Sequence, residues 1–262
     1  MTVSAPPLFR RVVHLMGMPV SLAVKPGELS VEAVEAAWGR VIEELTWVDK
    51  TFSTYRSDSY VCRLGRGEIS VADCPPEVSE VLDLGEQARV ASRGAFDVRR
   101  PGPDGAPVLD PAGVVKGWAV ERAARHLEES GVPGYCLSAG GDMVCRTRLP
   151  QEPEWTVGIE DPHDPKQVVA KVPVRNGAVA TSGLAHRGAH LTDARTGATP
   201  DALASVTVVD DSLTWADIDA TAAFALGVDG PGWLRERGRT AVIVWADGRS
   251  EVLAPARPTS HP

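Results

Sequence analysis

The sequence has no excess of basic residues. Its 27 Lys and Arg residues are outnumbered by 35 Asp and Glu residues, which leaves a formal net charge of −8. A protein that works on nucleic acid needs a basic surface to neutralise phosphates, so we expect no nucleic-acid partner. A single nucleotide held through a metal ion remains compatible with this charge, because the ion supplies the missing positive charge.

Long apolar runs are also absent. No segment approaches the roughly 20 apolar residues that a membrane-spanning helix requires. The apolar stretch near the N-terminus is interrupted by Arg10, Arg11, His14 and Pro19, which is not typical of a signal peptide. We therefore expect no membrane association and a cytoplasmic location.

Cysteine is scarce, and its spacing excludes the usual zinc motifs. The four residues are Cys62, Cys74, Cys136 and Cys145. They form no C-x-x-C pair, and no histidine is spaced to complete a zinc set. We interpret them as reduced thiols, most of them buried.

What remains is an ordinary globular composition, with 43% hydrophobic and 24% charged residues over 262 positions. Apolar periodicity predicts helices at about 31–48, 77–92, 117–130 and 215–226. Short β-branched runs predict a strand at 12–25 and many further strands after residue 135, and residues 99–109 read as a Pro- and Gly-rich loop. Paired strands separated by helices indicate an α+β fold with mainly antiparallel sheets.

A carboxylate and a hydroxyl share one face of the last long predicted helix. Asp217 and Thr221 lie four residues apart, so their side chains point the same way. Hard oxygen ligands of this kind suit Mg²⁺, which keeps room for substrate phosphates. The alternative is that Asp217 only favours the helix dipole near the start of the helix.

A lysine lies between two glycines where another helix is predicted to begin. Gly113 and Gly117 allow the backbone to approach a ligand, and Lys116 stands between them. The start of a helix favours bound anions. The segment matches neither the Walker loop nor the G-x-G-x-x-G fingerprint, so an ordinary Gly-Lys turn is the alternative.

Three further regions of the sequence carry candidate ligand-binding groups. The turn in SAGGDMV offers Gly140, Gly141 and Asp142 to a ligand, although a simple hairpin turn would have the same residues. Thr181, Ser182 and His190 supply hydroxyls and an imidazole close together in sequence, and His190 is a candidate general base. Tyr55 in FSTYR has an aromatic ring for stacking on a flavin or adenine, or for the core.

Eight segments, in one order from Met16 to about Gly227, resemble the ApbE family of FAD:protein FMN transferases. They are FSTYRSDS, GAFD, GVVKGWAVERAA, SAGGDM, W-x-V-G-I-x-D-P at 155–162, AVATSG, HLTDARTG and A-D-x-x-A-T-A at 216–222. The resemblance implies one T-fold-like α+β domain over residues 1–262, with a flexible tail at 255–262. It also implies binding of FAD with Mg²⁺, transfer of FMN to a Thr or Ser of an acceptor protein through a phosphoester bond, and release of AMP.

The resemblance assigns roles to individual residues. It implies metal ligation by the side chains of Asp217 and Thr221 and by the backbone carbonyls of Val115 and Ala220. The residues that it places against FAD are Met16, Tyr55, Ala95, Phe96, Asp97, Ala112, Trp118 and Leu191. His190 matches the histidine of the family motif, and His190 or Asp193 would take the proton of the acceptor hydroxyl. Lys116 would help to neutralise the phosphates.

The chain departs from the family pattern at a few positions. Val115 stands where the family usually has Ala, and Ala194 stands where it usually has Pro. The loops before Lys116 and before His190 are short, which would alter the choice of acceptor protein. An FAD pyrophosphatase and a non-catalytic FAD-binding protein remain the alternative functions.

Overall fold

The computed structural model describes residues 8–25, 27, 29–101, 107–184 and 191–254, and the predicted tail at 255–262 lies outside them. The chain begins with an antiparallel hairpin of β1 (Phe9–Leu15) and β2 (Met18–Val24). The two residues between them, Met16 and Gly17, have φ values of 53° and 71°. Positive φ at both turn positions is the geometry that joins strands most tightly, so a turn divides the predicted strand at 12–25 into two.

Helices fill most of the next 80 residues. They are α1 (Val31–Phe52), the short α2 (Tyr60–Gly65), a 3-10 turn (Val71–Asp73) and α3 (Pro76–Ala91). Ser30 caps α1 by accepting a hydrogen bond of 3.2 Å from the N–H of Ala33. α1 ends four residues later than predicted, and the buried residues Val48, Thr51 and Phe52 hold its last turn against the core.

A narrow ribbon and a long helix follow. Strands β3 (Arg99–Pro101) and β4 (Pro107–Leu109) pair where the sequence predicted only a loop. Helix α4 (Ala112–Glu129) starts five residues before the predicted start at Gly117. Asp110 explains the earlier start, because its Oδ1 accepts a hydrogen bond of 3.2 Å from the N–H of Ala112.

The remaining strands complete one large sheet and one small one. In chain order they are β5 (Gly134–Ala139), β6 (Asp142–Thr147), β7 (Trp155–Asp161), β8 (Asp164–Val174), β9 (Gly177–Gly183), β10 (Leu203–Asp210), β11 (Thr240–Trp245) and β12 (Ser250–Leu253). Between β10 and β11 lie α5 (Leu213–Ala225), a 3-10 turn (Gly227–Asp229) and α6 (Gly230–Glu236). The eight-stranded sheet has the order β1-β2-β5-β6-β9-β10-β11-β12, and all its neighbours are antiparallel. This architecture confirms the predicted α+β class.

The large sheet is covered on both faces. On one face α4 and α5 pack together, and α5 lies against β9 and β10 over the main apolar core. On the other face the β7–β8 ribbon encloses a second apolar cluster that contains Cys145, Val157, Ile159, Val174 and Val179. Among the described residues, no helix combines the length and apolarity needed to cross a bilayer.

Glu121 of α4 fixes the start of α5. Its Oε2 accepts hydrogen bonds from the hydroxyl of Ser212 at 2.8 Å and from the N–H and hydroxyl of Thr214 at 2.8 Å and 2.7 Å. A carboxylate at a helix N-terminus is stabilising, because it satisfies free N–H groups. The two helices that carry the candidate site are therefore held in a defined relation.

Candidate functional site

A cavity of about 390 Å³ opens where α4, α5, β9 and the β5–β6 turn meet. Twelve of the residues proposed from the sequence line it, namely Ala95, Phe96, Asp97, Ala112, Lys116, Gly140, Gly141, Thr181, Ser182, Leu191, Asp217 and Thr221. These residues come from six separate motifs of the sequence. The fold therefore brings most of the predicted ligand-binding groups to one place.

Lys116 lies between two buried carboxylates at the cavity wall. Its Nζ is 3.2 Å from Oδ1 of Asp217 and forms a second ion pair with Oδ2 of Asp142. Both Asp side chains are only 1% exposed. The second oxygen of each carboxylate accepts a backbone hydrogen bond of 2.9 Å. The N–H of Gly117 donates to Oδ2 of Asp217, and the N–H of Thr181 donates to Oδ1 of Asp142. Three distant motifs thus form one charged cluster.

Glycines permit the close approach of the two helices. A Cβ on Gly117 would lie 2.7 Å from the carbonyl oxygen of Leu213 and 2.8 Å from Cβ of Asp217. A Cβ on Gly113 would lie 2.9 Å from Cε2 of Phe96. Contacts this short do not occur in folded proteins without displacement, so both glycines are required for the cavity wall as it stands.

The electrostatics of the cluster favour a cation. Burial raises the pKa of Asp217, and the charge of Lys116 opposes that rise. Burial alone would lower the pKa of Lys116, but the attraction of Asp217 and Asp142 outweighs it and raises that pKa above its ordinary value. Lys116 therefore stays charged, and with both carboxylates ionised the cluster carries a net negative charge that a divalent cation would neutralise.

Hydroxyls stand beside Asp217 on the same wall. Thr221 follows Asp217 by about one turn of α5, and its Oγ1 lies 2.9 Å from Oγ of Ser182. No group of three or more His, Cys, Asp or Glu side chains is arranged to hold a metal within the described ranges. A cation here would complete its shell with hydroxyl, carbonyl and ligand oxygens, which fits Mg²⁺ better than a metal that needs a protein cage.

An apolar arm of the cavity lies on the helix side. Ala95, Phe96, Ala112 and Leu191 line it. The N–H of Ala194 donates a hydrogen bond of 3.0 Å to the carbonyl of Ala95, which fixes the segment after residue 190 against this arm. The side chains of this arm are mostly apolar, which suits a ring.

Three residues that the resemblance places against FAD are not among those lining the cavity. Met16 occupies the β1–β2 turn and packs on the main core. Tyr55 is 98% exposed. Trp118 is 3% exposed, and its indole N–H donates a hydrogen bond of 2.9 Å to Glu80 while its ring lies edge-on to Phe52. For Trp118 the structure shows a core residue whose polar group is already bonded.

The candidate backbone ligands of the metal lie next to the cluster in sequence. Val115 immediately precedes Lys116 on α4, and Ala220 immediately precedes Thr221 on α5. The side chains of Val115 and Ala220 are buried in the core between the helices. Their position is consistent with a role for the backbone alone, so Val in place of the family's Ala at position 115 is sterically accommodated.

Of the two candidate proton acceptors, His190 and Asp193, the structure describes only Asp193. His190 lies outside the described residues. Asp193 is 8% exposed, and both its oxygens accept hydrogen bonds from Arg195, including one of 2.6 Å from Nη2 to Oδ2. This bonding lowers the pKa of Asp193. A carboxylate so occupied orders the turn at 193–197 and is a weak base.

A second arm of the cavity was not predicted from the sequence. It lies on the opposite face of the large sheet, under the β7–β8 ribbon, where Met143, Val157, Ile159, Val179 and Ser205 line it. Met143, Val157, Ile159 and Val179 lie in motifs shared with the family, but the sequence assigned no role to them, and Ser205 lies in no motif. Strand alternation tells which side chains share a face but not which face borders a cavity.

Comparisons with known proteins agree on one family. The family model described as "ApbE family" matches residues 16–100 and 103–244, which is most of the chain. A relative from Klebsiella pneumoniae (strain 342), named FAD:protein FMN transferase, is 29% identical over 151 residues, covering 53% of this chain and 43% of the relative. A relative of the same name from Treponema pallidum (strain Nichols) is 32% identical over 167 residues, covering 56% and 46%. The aligned part thus spans less than half the length of these curated relatives.

Solved structures give the same result over nearly the full chain. The apo form of the flavinyl transferase ApbE from Pseudomonas stutzeri superposes with a TM-score of 0.80 at 25% identity, covering 96% of this chain and 97% of that one. The apbe protein of Thermotoga maritima superposes with a TM-score of 0.81 at 19% identity, which shows the fold alone. On the match of the family model, the chain belongs to the ApbE family.

Proposed function

We propose that this protein is a Mg²⁺-dependent FAD:protein FMN transferase. It would move FMN from FAD to a Thr or Ser of an acceptor protein through a phosphoester bond and release AMP. The observation that supports this most is the buried Lys116–Asp142–Asp217 cluster, set beside Thr221 in the wall of the cavity. The names of the similar proteins support the same reaction.

The shape of the cavity suits a dinucleotide. A charged centre separates two mostly apolar arms, as the diphosphate of FAD separates its two ring systems. Ala112 and Gly113 of the first turn of α4 also line the cavity, so the positive end of the α4 helix dipole lies close by. The ammonium of Lys116 adds a positive charge there, and together these groups would hold the phosphates.

The residues present fit a hard cation. We propose that Asp217 and Thr221 bind it with the backbone carbonyls of Val115 and Ala220. Bound there, Mg²⁺ would offset the charge that develops on the phosphate oxygens. Asp142 would act through Lys116, because its ion pair keeps the ammonium charged and directed at the cluster.

The transfer step needs a nucleophile and a proton acceptor. In our proposal the acceptor hydroxyl oxygen forms a bond to the FMN phosphorus, and the bond from that phosphorus to the bridging oxygen breaks. AMP leaves with the bridging oxygen, and the hydroxyl proton passes to the imidazole of His190. Asp193, being bonded to Arg195, would order the turn that follows His190.

The test is incubation of the protein with FAD and Mg²⁺, with and without a candidate acceptor that carries a Thr or Ser. We expect AMP release that depends on the acceptor, and an FMN adduct on the acceptor by mass spectrometry. Rapid AMP release without an acceptor would identify a pyrophosphatase instead. FAD binding without AMP release in either condition would identify a non-catalytic flavin-binding protein.

A further inference from the structure

Ser205 is a buried hydroxyl with no hydrogen-bond partner in the cavity wall. It lies on β10, is 5% exposed, and is one of the residues that line the cavity. Its Oγ is buried and makes no hydrogen bond to any part of the chain that the structure describes. A buried polar atom without a partner costs free energy, and native proteins retain few of them. Such an atom at a cavity wall indicates a partner that arrives with the ligand.

A second hydroxyl on the same face points to the same space. Oγ1 of Thr181 lies 2.9 Å from Oγ1 of Thr207, and either atom is able to donate. Thr207 is fully buried, whereas Thr181 is exposed to the cavity. If Thr181 donated, the hydrogen of Thr207 would be left buried without an acceptor, which is the costlier arrangement. Thr207 therefore donates, and the O–H of Thr181 is left for a ligand.

The strand register places the side chains of Thr181 and Ser205 close together on one face of the sheet. Thr181 pairs with Thr207, and Gly183 pairs with Ser205 two residues further along. Residues two apart on a strand share a face, so Thr181 and Ser205 are diagonal neighbours on the cavity side. Gly183 makes this possible, because a Cβ there would lie 2.7 Å from the carbonyl oxygen of Ala204 and 3.1 Å from Cβ of Ser205.

Most of the other residues of this arm are apolar, although Glu160 of the β7–β8 ribbon also lines the cavity. Val179 and Met143 continue the wall on the large sheet, and Val157 and Ile159 line it from the β7–β8 ribbon. We call this arm, between the large sheet and the β7–β8 ribbon, the slot. The hydroxyls of Thr181 and Ser205 lie at its wall. This chemistry suits a flat heteroaromatic ring, whose faces are apolar and whose edge carries hydrogen-bonding nitrogen and oxygen atoms.

We propose that this slot is the subsite for one of the two rings of the dinucleotide, and that Ser205 is a specificity-determining residue that hydrogen-bonds to the ring edge. This inference rests on the proposed function, since it takes FAD as the ligand. FAD offers the same chemistry in its flavin ring and in its adenine ring. The hydroxyl of Thr181 would bind the same edge.

The test compares Ser205→Ala with wild type and with a matched control. Ser21→Ala removes a half-buried hydroxyl from β2 of the same sheet, away from the residues that line the cavity. Equilibrium affinities for FAD, FMN and AMP are measured by fluorescence titration or calorimetry, and the midpoint of thermal unfolding is measured for each variant. We expect Ser205→Ala to weaken FAD binding by about three- to tenfold, the loss of one hydrogen bond. FMN or AMP, but not both, should weaken by the same factor, and this identifies the ring.

Thermal unfolding separates binding from a structural role. Removal of a hydroxyl without a partner should leave the midpoint of unfolding unchanged or higher, whereas loss of a structural hydrogen bond would lower it. Unchanged FAD affinity in Ser205→Ala, or equal weakening of FMN and AMP, would overturn the inference. Failure of the proposed function would look different, because wild-type protein would then release no AMP in the presence of FAD, Mg²⁺ and acceptor.

Discussion

Asp217 and Asp219 lie two residues apart on α5, and the two serve different purposes. Each side chain is 1% exposed, and burial raises the pKa of both. Two residues along a helix correspond to roughly 200° of rotation, so the side chains face opposite ways. Asp217 faces α4 and the cavity, whereas Asp219 is held by Arg237 at 3.0 Å and by Arg239 at 2.5 Å.

The two carboxylates differ in how fully their oxygens are already bonded to charged partners. Two guanidinium groups fill the space around Asp219, and Arg239 also pairs with Asp210. Asp217 has one lysine and one backbone amide, and it borders a cavity that also exposes Thr221. A buried carboxylate enclosed by two guanidinium groups belongs to the fold, whereas one that borders an open space is available to a cation and its ligand.

The largest effect is expected from Asp217→Asn. The change keeps the volume of the side chain and removes the anionic oxygen that would bind Mg²⁺. We expect AMP release from FAD to fall at least about 100-fold, the scale on which single groups stabilise charge in transition states. The measurement is AMP release by chromatography at saturating FAD and Mg²⁺. Turnover within a few-fold of wild type would contradict the assignment of Asp217 to the metal site.

Asp219→Asn is the matched control, and we expect it to lower the free energy of unfolding and to leave turnover unchanged. Arg237 and Arg239 would lose their shared buried partner, which we expect to lower the free energy of unfolding by about 3 kcal/mol. Turnover per folded molecule at 25 °C should stay near that of wild type. Urea denaturation measures the first quantity. A loss of turnover as large as that of Asp217→Asn would show that the two carboxylates do not divide their roles in this way.

Gly117→Ala tests whether the approach of α4 to α5 positions Asp217. The added methyl would overlap Leu213 and Asp217, so we expect a loss of about 1–3 kcal/mol in unfolding free energy. Weaker Mg²⁺ binding should accompany that loss, and isothermal calorimetry in the presence of FAD measures it. Gly39→Ala on α1 is the control, because nothing lies within 4 Å of the added methyl there. It should stabilise the protein by up to about 1 kcal/mol.

The smallest effect on stability is expected from Tyr55→Ala. Tyr55 is 98% exposed, so the free energy of unfolding should change by less than about 0.5 kcal/mol. The family resemblance assigns its ring to FAD, which predicts a several-fold weaker FAD affinity, on the scale of about 1 kcal/mol for an aromatic pair. Fluorescence titration measures this. An unchanged affinity would remove Tyr55 from the binding site and leave only the residues at the cavity wall.

The sequence predicted the regular elements better than their ends. The helices at 31–48, 77–92 and 215–226 are confirmed within a few residues, because their apolar periodicity is strong. The predicted start of α4 at Gly117 is too late, since the role of that glycine inside the helix is to admit Asp217. The short helix α6 was not predicted, because its seven residues include two Gly and one Pro.

The residues of the candidate site were also only partly predictable from the sequence. Spacing and the family motifs predict Lys116, Asp217 and Thr221 as site residues, and all three line the cavity. The family resemblance also places Trp118 against FAD. The structure shows its ring against Phe52 and its indole N–H bonded to Glu80, and its contact with FAD stays a prediction. Ser205 belongs to no motif; its position at the cavity wall, and an Oγ without a hydrogen-bond partner in the described part of the chain, distinguish it.

From the sequence alone one can read most of the long helices and strands, the residue types available and the family that the chain resembles, because these depend on local spacing and on ordered motifs. The tertiary structure alone decided which of two buried aspartates borders a cavity, and which serine lies at its wall. The physical reason is that burial and pairing are set by contacts between distant segments, such as the hydrogen bond from Gly117 to Asp217, 100 residues apart.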